Sequence, residues 1–267
     1  MGWKRDLGWG NPALGVILRA VAPVASALTA AIVYWYGASQ AGLFDPSRLA
    51  YVVIGATLYG QISAYAWVPT SAIAEGKSSN VYPQVYLTPS SSVPYLAGRC
   101  FASFLESVPM VMVSFLVSAG VSVAFFHSQL QLIITPLSAG LAVLAMVAVF
   151  PSALGLGYLL GSYSIFASKF EWAVPSYISG ALMILSEALF PASVLPWPLS
   201  AVAESLPFTY FMRATRDALL YGSYGAYLVD VGYCLALSVP LVVLGLVAFS
   251  YGERRGRSKG FIDRKSL

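Results

Sequence analysis

The chain has 267 residues, 58% hydrophobic and only 10% charged, where an ordinary soluble domain carries roughly 25% charged residues. That composition excludes a water-soluble fold and a disordered chain, and two cysteines, Cys100 and Cys234, are too few for a disulfide scaffold. The formal charge of +4 does not point to nucleic acid, because six of the 15 basic residues cluster between Arg254 and Lys265, directly after the last apolar run.

What remains is an all-helical integral membrane protein built as a single transmembrane domain. At roughly 20 apolar residues per helical span, the length leaves room for about six spans. The chain opens with Lys4 and Arg5 before an apolar stretch, and the small triplet Ala25-Ser26-Ala27 resembles a signal-peptide cleavage site. Arg19 interrupts that stretch and apolar character runs on to Tyr36, so the segment reads as an anchor that stays in place. Met1-Gly2 is not a lipidation signal, since Asp6 stands where a Ser or Thr is needed. Trp3 and Trp9 suit a short interfacial helix ahead of the first span.

The predicted spans cover residues 16–36, 49–74, 101–126, 130–163, 172–191 and 226–251. The first ends in Tyr34-Trp35-Tyr36, an aromatic belt of the kind found at membrane boundaries. On the fourth, Ala153, Gly157 and Gly161 recur every four residues, a small face suited to close helix contact or simply the glycine content of membrane helices. Basic residues accumulate on the cytoplasmic side of spanning helices. With both termini cytoplasmic, Arg48, Arg213 and Arg216 fall outside, and the other 12 of 15 fall inside or at cytoplasmic helix ends. The expected location is the plasma membrane, with the basic tail drawn to anionic lipid.

Two connecting segments carry more apolar character than plain loops. Residues 75–90 form a cytoplasmic segment in which Val81, Val85 and Leu87, flanked by Tyr82 and Tyr86, suit a short helix that docks on a soluble partner. Residues 192–222 form an external segment rich in proline, containing Leu195-Pro196-Trp197-Pro198 and Pro207-Phe208-Thr209-Tyr210, which suits helices that dip into the outer leaflet and return. Arg213 and Asp217 stand four apart there, the spacing of a helical pair.

Taken together, these features resemble the permease subunits of type-2 ABC exporters: six spans in this order; cytoplasmic Glu75-Gly76-Lys77 followed by Thr88-Pro89-Ser90; and external Phe190-Pro191, Leu195-Pro196, Leu206-Pro207-Phe208-Thr209-Tyr210, Arg216 and Gly222. The resemblance implies a homodimer or heterodimer of such subunits, bound to two copies of a separate cytoplasmic ABC ATPase. It assigns the coupling segment to Glu75, Gly76, Lys77, Val81, Tyr82, Val85, Tyr86 and Pro89. It also assigns the external re-entrant helices that cap the exit, with Pro191, Pro196, Trp197, Pro207, Arg213 and Arg216 as gate residues. ATP and magnesium belong to the partner, because this chain has no G-x-x-x-x-G-K-[ST] motif and reads as a transport subunit, not an enzyme.

Ionisable residues inside spans are costly, and so count as candidates for function. Glu106 is either a structural partner for another helix or part of a substrate path. Glu187 either reaches external water or lines the exit. Arg19 and Asp230 are placed to snorkel to headgroups. The aromatics Tyr59, Tyr65, Trp67 and Phe115 either line the path or pack helices. His127 with two separated cysteines gives no metal spacing. With so few intramembrane charges, an amphipathic, drug-like or lipid-linked cargo is favoured over a small ion. The alternatives are an ion- or proton-coupled secondary transporter, which needs Glu106 or Glu187 to titrate, and, ranked below it, an intramembrane enzyme acting on lipid.

Overall fold

A computed structural model describes residues 12–79, 81–87, 91–126, 132–166 and 173–259. Every regular element among them is helical. The long helices are α1 (Pro12–Gln40), α2 (Pro46–Ser78), α4 (Val93–Phe126), α5 (Pro136–Phe166) and α9 (Tyr224–Lys259). Between them lie the short helices α3 (Val81–Leu87), α6 (Ala173–Leu185), α7 (Trp197–Glu204) and α8 (Pro207–Arg216). A 3-10 turn, Ala192–Val194, precedes α7, and a π turn, Asp217–Tyr221, joins α8 to α9.

Proline marks the helix starts, because its fixed φ suits the first turn and its missing N–H is an orphan there anyway. Pro12, Pro46, Pro136 and Pro207 each open a helix, and at α2 the preceding Asp45 caps the start by accepting from the Ser47 N–H at 2.9 Å. A further proline lies inside each long helix: Pro23, Pro69, Pro109, Pro151 and Pro240. Such interruptions are tolerated in membrane helices, where neighbouring helices re-satisfy the freed backbone groups.

Among the described residues four helices, α2, α4, α5 and α9, are long and apolar enough to cross a membrane. These helices give the chain the character of a multi-pass membrane protein. α2 and α9 run past their predicted spans at both ends, whereas α5 starts at Pro136, six residues after the predicted 130, and ends three residues past 163. α4 begins eight residues before 101, because Val93-Pro94 makes a good first turn and Arg99 sits on a partly exposed face. Conversely, α6 has only 13 residues, about 20 Å at 1.5 Å per residue, short of the roughly 30 Å hydrocarbon core. The stretch predicted as a span over 172–191 therefore breaks after Leu185, and the chain turns through residues 186–191.

α5 lies at the centre, against α9 on one side and α2 and α4 on the other. Where α5 crosses α9 the backbones touch: a Cβ on Gly155 would sit 2.7 Å from the Leu241 carbonyl carbon, and one on Gly245 would overlap the Gly155 oxygen. Hydroxyls stitch the same seam, with Ser152 and Ser238 at 2.6 Å and the Tyr227 hydroxyl donating to the Leu141 carbonyl at 2.8 Å. The predicted small face of α5 is also packed. A Cβ on Gly157 would lie 3.2 Å from Pro69 and from Cys100 Sγ, and one on Gly161 would lie 2.6 Å from Leu96. Cys100 and Cys234, on α4 and α9, are both buried free thiols.

Candidate functional site

Polar chemistry gathers at the two ends of the bundle. At one end, α6 stops and the chain folds back through α7 and α8. Here Glu187 adopts a φ of 59°, the only non-glycine residue with positive φ among those described, a conformation that costs of order 1–3 kcal/mol unless its surroundings hold it. Its surroundings do. Arg213 grips the carboxylate with both arms, Nε to Oε2 at 3.1 Å and Nη2 to Oε1 at 2.6 Å, and the Ala192 N–H donates to Oε1 at 2.9 Å. Glu187 is only 4% exposed, so of the two readings left open for it, simple contact with external water does not describe its placement.

Three residues beyond Arg213, Arg216 is 1% exposed. Its Nη2 donates to the carbonyls of Glu187 at 2.6 Å and Ala188 at 3.1 Å, and its guanidinium lies 3.4 Å from the centre of the Tyr51 ring on α2. Burial lowers its pKa from the ordinary arginine value, with Tyr51 and Glu187 opposing that shift. Gly55, one turn along α2 from Tyr51, leaves the space this requires: a Cβ there would overlap the Ala188 carbonyl oxygen and the Arg216 Nη2. Beside the clasp, the Asp217 carboxyl is pushed up to about 6, chiefly by burial and then by Asp230 on α9, while Arg213 acts in the opposite direction. The i,i+4 spacing of Arg213 and Asp217 thus yields no dominant pair, because Glu187 offers Arg213 a bidentate partner. Thr209 fixes α8 further by donating to the carbonyls of Ala203 at 2.6 Å and Leu185 at 3.0 Å.

The other gate candidates divide by exposure. Pro207 is buried, whereas Trp197 is 82% exposed, with Pro191 and Pro196 also on the surface. Of the aromatics, Tyr65 and Phe115 are core residues at 5% and 6% exposed, Trp67 faces outward at 40%, and Tyr59 is half-buried with its hydroxyl on Ser179 at 2.7 Å. Glu106 is half-buried on α4.

At the opposite end, α2 runs on to Ser78 and α3 starts at Val81. Lys77 is turned inward, 3% exposed, and its Nζ donates to the carbonyls of Ser164 at 2.6 Å and Ile165 at 3.3 Å in the last turn of α5. The favourable charge is clear: the last carbonyls of a helix lack intrahelical donors and carry the negative end of its dipole. Gly76-Lys77-Ser78 matches the closing letters of a phosphate-binding loop, but here it is helical and its lysine is buried against protein. Glu75 is exposed and accepts from Arg99 of α4 at 3.0 Å. Tyr82 on α3 is fully buried against Tyr95, with ring centroids 6.1 Å apart, beside Gly76. Val81 at 40% exposure and the exposed Gln84 face outward, with Val85 half-buried. Pro89, with Thr88 and Ser90, lies outside the described residues, as do the side chain of Tyr86 and all of His127. Completing this end, the Glu253 carboxylate of α9 accepts from the Ser92 N–H at 3.0 Å and from Arg257 at 2.8 Å.

Sequence reasoning missed Gly55, Tyr51 and the inward turn of Lys77. The signal for Arg216 was present in its neighbours Phe211, Met212, Ala214 and Leu219, an apolar run that leaves a nearby arginine no route to water. Among the described residues no group of three or more His, Cys, Asp or Glu side chains is placed to hold a metal. Compared with known proteins, the chain matches no family model, no curated protein and no solved structure.

Proposed function

We propose that this chain is the membrane-spanning permease subunit of an ATP-driven exporter of the type-2 ABC kind, moving an amphipathic, drug-like or lipid-linked cargo outward. In this reading α1, α2, α4, α5 and α9 are full crossings and α6, too short to cross by itself, is a sixth and partial one continued by the turn after it, with both termini in the cytoplasm of a plasma-membrane protein. The turn at residues 186–191 with α7 and α8 makes the external re-entrant cap, and the end bearing Lys77 faces the cytoplasm. Two such subunits pair in the membrane, and two copies of a separate ATPase bind below and supply ATP and magnesium.

The observation that carries the reading is α3. A helix of seven residues stands alone between two long apolar helices, buried through Tyr82 and offering Val81, Gln84 and part of Val85 to a partner. A connector needs no such helix, whereas a short helix with Val81 and Gln84 turned outward suits a groove on a soluble protein.

Adding charge to that outward face tests the reading without touching the packed side of α3. The double variant Val81→Glu, Gln84→Glu is expected to keep the wild-type melting temperature and to lose at least tenfold of the nucleotide-hydrolysing protein that co-purifies with the wild-type chain in mild detergent. Wild-type recovery of that protein on the double variant would refute the docking role of α3. A wild-type chain that purifies without any nucleotide-binding partner would turn attention to the ion-coupled alternative.

A further inference from the structure

The Lys77 ammonium connects two parts of the molecule that the chain itself separates by 87 residues. On its own side, it belongs to the last turn of α2, where Ser79 closes the helix by donating its N–H and hydroxyl to the Glu75 carbonyl at 2.9 and 2.6 Å. A single residue then separates that cap from α3. α3 is held to the same corner by Tyr82, which fills the space against Gly76 that a side chain there would occupy, and by the contact of Tyr82 with Tyr95. On the far side, Lys77 meets the terminal carbonyls of α5, the central helix of the bundle.

A neutral side chain at position 77 would leave those buried carbonyls short of a donor and remove the charge that the helix terminus favours. We propose that Lys77 is a positioning residue: it locks the corner formed by α2 and α3 to the C-terminal turn of α5, so that the two move as one body. Its use in coupling rests on the docking reading of α3, since a displacement of α3 by a bound ATPase would then reach α5 directly. The lock itself does not depend on that reading. Glu75 and Arg99 make the contrasting contact at the same corner: their pair is more exposed and joins α2 to α4 only.

The test uses the full chain in phosphatidylcholine nanodiscs with Cys100→Ala and Cys234→Ala, and nitroxide labels on the exposed positions 84 of α3 and 163 of α5. Pulsed electron resonance then reads the distribution of distances between the corner and α5. Lys77→Met is expected to broaden that distribution at least twofold, and Lys77→Arg to keep it near the wild-type width. A control pair at positions 102 and 163, joining α4 to α5, is expected to stay unchanged, which a general loosening of the fold would not allow. A distribution in Lys77→Met as narrow as in wild type overturns the proposal, and so does equal broadening of the control pair. Should Lys77→Met not fold, Lys77→Gln replaces it: it keeps a donor without the charge, is expected to broaden the distribution, and matching Lys77→Arg would overturn the proposal. These measurements need no ATPase, so failure of the lock and failure of the docking reading give separate results.

Discussion

Both ends of the bundle bury a cation against backbone carbonyls, but they bury it in different company. Arg216 sits beside a second arginine, a buried carboxylate, an aromatic ring and a glycine whose missing side chain makes the room. Lys77 caps a helix, and the ion pair beside it, Glu75 with Arg99, stands partly in the open. The first arrangement joins charges whose loss leaves a partner stranded in the interior. In the second, the ion pair can part at little cost, because water replaces each half. The lesson is that the two ends should respond to mutation on different scales, with the Arg216 end intolerant and the ion pair at the Lys77 end forgiving.

The sharpest way to break that comparison is Glu187→Ala, which strands Arg213 and removes the acceptor for the Ala192 N–H. Breaking a buried pair costs about 3–5 kcal/mol; because the Arg213 side chain is 33% exposed, the expected loss is about 2–3 kcal/mol, read as a melting temperature lower by about 5–10 °C. Next comes Gly55→Ala. Its new Cβ meets a backbone oxygen, which has nowhere to go, as well as the Arg216 side chain, and overpacking of that kind costs about 1–3 kcal/mol. Thermal unfolding in detergent checks both, and a wild-type melting temperature for either would mean that the clasp holds nothing.

Smaller effects sharpen the contrast. Asp217 titrates upward from its ordinary value of 3.8 to about 6, so the folded protein holds this proton where the unfolded chain has released it. The associated stability is present in full below about pH 4 and is lost as the pH rises through about 6. Asp217→Asn is therefore expected to raise the melting temperature by about 1–2 °C at pH 7.5, to keep roughly half of that advantage at pH 5 and to lose it near pH 4, as read from melting curves across the range. The smallest change should come from Arg99→Ala at the other end. Its partner Glu75 is 65% exposed, and pairs of that kind contribute within about 1 kcal/mol. A loss comparable to that of Glu187→Ala would erase the difference between the ends.

Much of this fold can be read from residues alone, and what escapes has physical reasons. Apolar runs mark the long helices, and prolines at 46, 136 and 207 mark where helices start. The short helix at Val81–Leu87 is legible from its apolar spacing, because a helix of one or two turns is a local matter. The end of α6 is not: nothing in Ser186-Glu187-Ala188 halts a helix, and the break exists because Arg213 and Arg216, some 30 residues on, hold Glu187 and its carbonyl in place. Lys77 escapes for the same reason. A lysine at the end of an apolar run reads as reaching water or a partner, and only the tertiary fold brings the terminus of α5 within reach of its ammonium. Gly55 looks like any membrane-helix glycine until Ala188 is seen lying against it.

An exporter subunit of this kind works only with a separate ATPase, and the stoichiometry of the complex asks most directly whether this chain does. Native mass spectrometry of the wild-type chain, released from detergent after mild purification from its host, is predicted to give two six-span subunits of this kind with two copies of a nucleotide-binding protein. A chain that flies alone or with itself only, under conditions in which its helices stay folded, would contradict it.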